Sequence, residues 1–153
     1  MRVKLLEQDW YEFQFSIVVR EGHVNEADHV GYDSIVQMIG EARIDLLRKL
    51  GFTQLDIGEQ KTGIIMRDLV ITYHEEGSLF DEIVIDSHAG EITRSSFRLF
   101  HRLTRKNRII ALAETGLSCF NYEIHKVVRL PEVFLEALEA YKTSKERQSV
   151  FRK

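Results

Sequence analysis

A chain of 153 residues, 44% hydrophobic and 29% charged, is long enough to bury a core without metal or disulfide staples, and its balance excludes a disordered or fibrous protein. The formal net charge of -3 offers no bulk attraction to nucleic acid, so no nucleic-acid partner is expected. Cys119 is the only cysteine, which excludes an intramolecular disulfide and suits a reducing, cytoplasmic setting; no apolar run is long enough to predict a membrane span, and "MRVKLLEQDW" does not read as a leader.

The first predicted element is a strand over residues 13–20, where Phe13, Phe15, Ile17 and Val19 alternate with Gln14, Ser16, Val18 and Arg20. A long helix follows over residues 32–50: Ile35, Met38, Ile39, Ala42, Leu46 and Leu50 fall three or four apart, and Gly51 stops it. Val36, Ile44 and Leu47 widen its apolar stripe beyond one face, which predicts a central helix covered on more than one side. After Gly63 the period returns to two in "IIMRDLVITYH", "DEIVIDSH", "SSFRLFHRLT" and "RIIALAETGLSCF". The breaks between these four strands are too short for crossover helices, so neighbours should run antiparallel. Pro131 opens a terminal helix over 132–142, and 143–153 reads as a polar tail. With no repeat or linker, the expectation is a single domain over 1–153 of the α+β class, a curved antiparallel sheet wrapped around one long helix with a short C-terminal helix. Another curved-sheet ligand binder would give the same element order, so function has to be read from the site.

Two His-Val pairs stand close together, in "GHVN" at 22–25 and "DHVGYD" at 28–33. With "EARIDLLRKLG" at 41–51, "LFDEI", "TRSSF", "IIALAETGLSCF" and a Leu-Pro before the last helix, the chain resembles the hot-dog-fold acyl-CoA thioesterases of the 4-hydroxybenzoyl-CoA thioesterase-like superfamily over roughly residues 13–141. Those enzymes place His-Val twelve residues before the Glu of Glu-Ala-Arg. His29-Val30 meets that spacing without a gap, while His23-Val24 needs a six-residue insertion in the helix. In the family, the position four before this His is the Asp that acts as nucleophile or base. Here it is Asn25, which can do neither.

The chemistry that remains starts at the helix N-terminus, whose free N–H groups and positive dipole end suit a polarised carbonyl oxygen. The resemblance makes the amide of Tyr32 the oxyanion donor and Gly31 the point of close substrate approach, a reading compatible with Gly31 being a turn into the helix. Asn25 either holds water or substrate through its amide or satisfies loop backbone groups. His29 resembles the histidine of plant acyl-carrier-protein thioesterases, though their asparagine two residues earlier is Ala27 here; a structural, capping or stacking histidine is the other reading. Asp33 and Glu41 are the remaining carboxylates, about 12 Å apart along the helix axis, so at most one serves a given site as base. Asp33, which also suits the helix dipole in its own right, is favoured. Arg94, Ser95 and Ser96 match the segment that family members use near the CoA phosphates. Arg102, Arg105, Lys106 and Arg108 add cations that suit phosphate but also fit a solvated hairpin tip.

No zinc-ligand spacing, Gly-rich phosphate loop or Gly-x-Ser-x-Gly elbow appears, so no metal and no cofactor are implied. Cys119 in its apolar strand reads as core. The expectation is an acyl-CoA thioesterase that self-associates as a homodimer or homotetramer, as the resemblance implies. The alternatives are a non-catalytic acyl-CoA or acyl-carrier-protein binder that lost the acid, and a hydratase using a His and Asp pair.

Overall fold

The structure, a computed structural model, describes residues 2–151. The elements in order are β1 (Phe13–Val18), α1 (Tyr32–Lys49), β2 (Thr62–Tyr73), β3 (Glu82–Gly90), β4 (Ser96–Arg105), β5 (Arg108–Asn121), β6 (Lys126–Val127) and α2 (Glu132–Phe151), with a 3-10 turn at Glu21–His23 before α1. The strands form one antiparallel sheet ordered β1-β3-β4-β5-β2, and β6 adds to β5. This is the hot-dog arrangement: α1 connects the two edge strands and lies along the inner face of the sheet. Among the described residues no helix is long and apolar enough to cross a membrane.

Alternation along the strands builds the core. Ile83, Ile85, Leu103, Ala111 and Ala113 face Ile35, Met38, Ile39 and Ala42 of α1. Farther along, Phe13, Phe97, Leu99, Leu117 and Cys119 face Leu46 and Leu47 and are closed over by Leu130, Phe134 and Leu138. α2 is fixed there by aromatic packing, with Tyr141 stacked on Phe13 at 4.6 Å between centroids. Between the two clusters sits buried His101, its Nδ1 2.7 Å from Ser87 Oγ.

The outer face is crossed by residues that precede β1. The buried Glu12 carboxylate accepts from the Ala89 amide and contacts His88 Nδ1, each at 2.8 Å, while Arg102 lies over the Tyr11 ring and pairs with Glu7. The β4–β5 hairpin turns through Lys106 and Asn107, both at positive φ, the mirror-type turn that matches strand twist.

The sequence-based expectation of α1 holds to within a residue. β1 ends at Val18, two residues early, and the predicted polar tail is instead the continuation of α2 to Phe151. Lys145, Glu146, Arg147 and Gln148 in its middle are good helix formers, and with no Gly or Pro nothing stops the helix. Leu47 is buried as its place in the widened stripe predicts, whereas Val36 and Ile44 remain 38% and 43% exposed.

Candidate active site at the helix N-terminus

The approach to α1 is a small stapled loop. Val24 bridges Val30, the Asn25 amide donates to the His29 carbonyl at 2.8 Å, and the Gly31 amide donates to the His23 carbonyl at 3.0 Å. Asn25 Oδ1 accepts from the amides of Ala27 at 3.0 Å and His29 at 3.3 Å, the local bonding expected of an Asn in a turn. Its oxygen is therefore committed to shaping the loop, and its NH2 is the end left for a ligand. The Val30 amide donates to the Gly77 carbonyl at 2.8 Å, which seats the loop against the β2–β3 connection. There His29 Nδ1 lies 2.8 Å from Glu76 Oε2.

Gly31 is the N-cap of α1 and offers no side-chain acceptor. The amides of Ser34 and Ile35 bond back to the Gly31 carbonyl; those of Tyr32 and Asp33 have no backbone acceptor among the described residues. Two donors at the positive end of the helix are thus open. A Cβ on Gly31 would meet Asp33 Oδ1 at 2.5 Å, so the Asp33 carboxylate folds back over the glycine. From the end of β2, Tyr73 donates its hydroxyl to the Tyr32 carbonyl at 3.3 Å. Burial, then the charge of Asp33 and then Tyr32, raise the Tyr73 phenol above its ordinary value, so it is a donor at neutral pH. Beside this group Val30, Ile35, Tyr73, Glu76, Gly77 and Ile110 line a crevice of about 170 Å³. That is smaller than the pockets that enclose drug-sized ligands, a mouth and not a complete binding site.

Asn25, His29, Gly31, Tyr32 and Asp33 are thereby brought together. Glu41 is exposed in mid-helix, about two turns from Asp33. The Arg94, Ser95 and Ser96 group is not brought to this end. Ser95 accepts from the Cys119 amide through its carbonyl, the Thr93 and Ser96 hydroxyls bond at 2.6 Å, and Ser96 pairs with Ser118. The helix N-terminus instead lies by Ile110, eight residues of β5 away, roughly 26 Å along the strand. Beside residues 95 and 96, Arg98, Gly116 and Ser118 help line a separate cavity of about 420 Å³. The expected cationic cluster is largely neutralised within the chain, since Arg102 pairs with Glu7 and Asp86, Arg105 with Asp81, and Arg108 with Glu75.

Two residues of this site, Tyr73 and Glu76, have no signal in the sequence beyond their place at and after a strand end. Cys119 is buried, and desolvation followed by the charge of Glu59 pushes its thiol up to about 11, which removes it as a nucleophile.

Similar proteins bear on what such a site does. The profile described as the thioesterase-like superfamily matches residues 19–138. No curated protein matches the chain. Solved structures similar to it include a 1,4-dihydroxy-2-naphthoyl-CoA thioesterase from Synechocystis, 16% identical, TM-score 0.75, covering 82% of this chain and 94% of that one. A Staphylococcus aureus protein solved in complex with CoA is 15% identical with TM-score 0.78, covering 84% and 82%. A gentisyl-coenzyme A thioesterase is 22% identical with TM-score 0.73, covering 82% and 98%. At such identities the likeness is one of fold. The profile spans most of the chain and, with the hot-dog sheet and the His29–Glu41 register, gives the assignment: this protein belongs to the thioesterase-like superfamily.

Proposed function

We propose that the protein hydrolyses an acyl-CoA thioester to a carboxylic acid and free CoA, with each site shared between two copies of the chain. One observation carries this reading: two open helix N-terminal amides stand beside a first-turn carboxylate and a loop histidine. The thioester carbonyl would accept from the Tyr32 amide, which strengthens as negative charge develops on oxygen. Asp33 would take a proton from the attacking water, and the Asn25 NH2 would orient water or carbonyl. Glu41 lies too far along α1 to share that carbon. The Staphylococcus aureus structure holds CoA, and two of the similar enzymes act on CoA esters by name, which supports the substrate class.

What one chain leaves open supports the shared site. β2 is an edge strand, and Met66 and Tyr73 on it are about half exposed, as are Val36 and Ile44, with Tyr32 more so, on the neighbouring outer face of α1. A row of unpaired strand groups beside apolar side chains is a template for a second strand. Two-fold pairing through β2 is antiparallel and therefore reverses ends. The 94–96 segment of one copy would then come towards the 29–33 end of the other, assembling the phosphate-binding and reacting parts that one chain keeps apart.

The second reading, a non-catalytic acyl-CoA or acyl-carrier-protein binder, is favoured by Asn25 at the usual acid position. Thiol release measured over acyl-CoAs of several lengths, aromatic esters included, separates the two. Turnover should fall by about 100-fold or more in Asp33→Asn and survive in Glu41→Gln. The reverse pattern assigns the base to Glu41, and tight CoA-ester binding with no release by the unaltered protein supports the binder.

A further inference from the structure

We infer that His29 protonates the departing thiolate and that Glu76 is the residue that positions it; this rests on the thioesterase reading above. The geometry is specific. His29 is pinned on both sides of its backbone, by the Asn25 side chain accepting from its amide and by the bridge between residues 29 and 78, and the next residue bonds to Gly77. This backbone framework carries His29 and Glu76 to the same spot, with Nδ1 2.8 Å from Oε2. A carboxylate at that distance accepts from Nδ1–H and fixes the ring's orientation, so Nε2 is the atom open to a substrate, and the ring serves as an acid when Nε2 carries a proton as well.

The other described histidines with close partners are placed differently. His101 is enclosed in the core, His88 faces the buried Glu12 that also accepts from the Ala89 amide, His23 accepts from the Arg20 amide through Nδ1, and His74 meets the Thr72 hydroxyl, so none of these four has a free carboxylate behind it as His29 has. His29 and Glu76 are 40% and 70% exposed at the side chain, and a contact so open to solvent adds little to the fold. What it does instead is hold one proton donor three residues before Tyr32, the start of the helix whose first turn carries Asp33.

The two groups then divide the reaction. Water gives a proton to the Asp33 carboxylate as its oxygen bonds to the carbonyl carbon, and the carbonyl electrons move to oxygen facing the Tyr32 amide. When that tetrahedral centre collapses, the C–S bond breaks, sulfur keeps the electron pair, and the Nε2 proton of His29 passes to it. Release of the Asp33 proton to solvent and uptake of one by His29 restore the starting state, and the sum is water plus thioester giving acid plus thiol.

The test is leaving-group dependence. A thiophenolate leaves without a proton far more readily than an alkanethiolate, so general acid help matters for the second and not the first. With one acyl group presented as its N-acetylcysteamine and its thiophenyl ester, His29→Ala should lower kcat on the alkyl ester by about 100-fold and Glu76→Gln by about tenfold, with KM little changed. Both variants should stay within about twofold of the unaltered enzyme on the thiophenyl ester, and Glu76→Asp should recover most of the loss. Thermal unfolding checks that the exposed substitutions leave the fold intact. Equal losses on both esters, or no loss on either, overturn the inference while leaving the hydrolase reading standing. An unaltered protein that turns over neither these esters nor any acyl-CoA sinks the reading and the inference together.

Discussion

Gly31 sets the position of the acid at the scale of one methyl group. Its φ of -68° and ψ of 148° are open to any residue, so alanine costs nothing in backbone strain. Its Cβ would nevertheless lie 2.5 Å from Asp33 Oδ1, and the carboxylate must swing away. Gly31→Ala is therefore expected to lower kcat by about tenfold with an unfolding midpoint within about 2 °C of the parent's; steady-state kinetics and a thermal melt check it. A variant with unchanged kcat would separate the Asp33 position from catalysis. The placement of His29 and Asp33 at the helix N-terminus was legible in the sequence because their spacing from Glu41 is fixed by one helix and the turn before it. Glu76 was not, since it reaches His29 only through the sheet pairing that folds the β2–β3 connection onto the loop. The Asn25 bonds were half legible: the residue type allows a loop-shaping role, but its oxygen is committed only once the loop folds back to bring the Ala27 and His29 amides to it.

At the scale of the element, α1 was readable from end to end because a strong 3.6-residue pattern ran into a glycine stop. Its stripe was wider than one sheet needs, and the exposed remainder at Val36 and Ile44 is the part a second copy would cover. Ile44→Glu places a charge in that face while leaving the inner contacts of Leu46 and Leu47 untouched. It is expected to yield a folded monomer that has lost most of its turnover, seen by light scattering beside the thiol-release assay. An Ile44→Glu protein that remains associated and active would place the shared face elsewhere. α2 was misjudged beyond its first turns for the opposite reason. Past Tyr141 it has too few apolar residues to show a period, and the run from Lys145 to Gln148 with no Gly or Pro around it carries it on.

For the whole molecule, His101 ties stability to acidity. It is 2% exposed between Ser87 on β3 and Thr115 on β5, and burial, then the nearby Arg43 charge, lower its pKa from 6.5 to about 3. The unfolded chain binds this proton near pH 6.5 and the folded one only near 3, so between those values the unfolded state holds more protons. Stability therefore rises with pH across the window, and is lost as pH falls through it at up to about 1.4 kcal/mol per pH unit from this residue alone. Urea unfolding between pH 7 and 4.5 should show that slope, and His101→Gln should flatten it even if it lowers stability at pH 7. An unchanged slope would mean the ring is charged or solvated in the native state.

The roughly 26 Å between the two ends of the sheet has a genetic consequence. In the two-fold arrangement proposed above, a chain damaged at Asp33 and a chain damaged at Arg94 would each be inactive alone. Their mixed dimer gathers both lesions into one site and leaves the other with neither. Two defective alleles would then complement one another within a single dimer, although neither encodes a working enzyme.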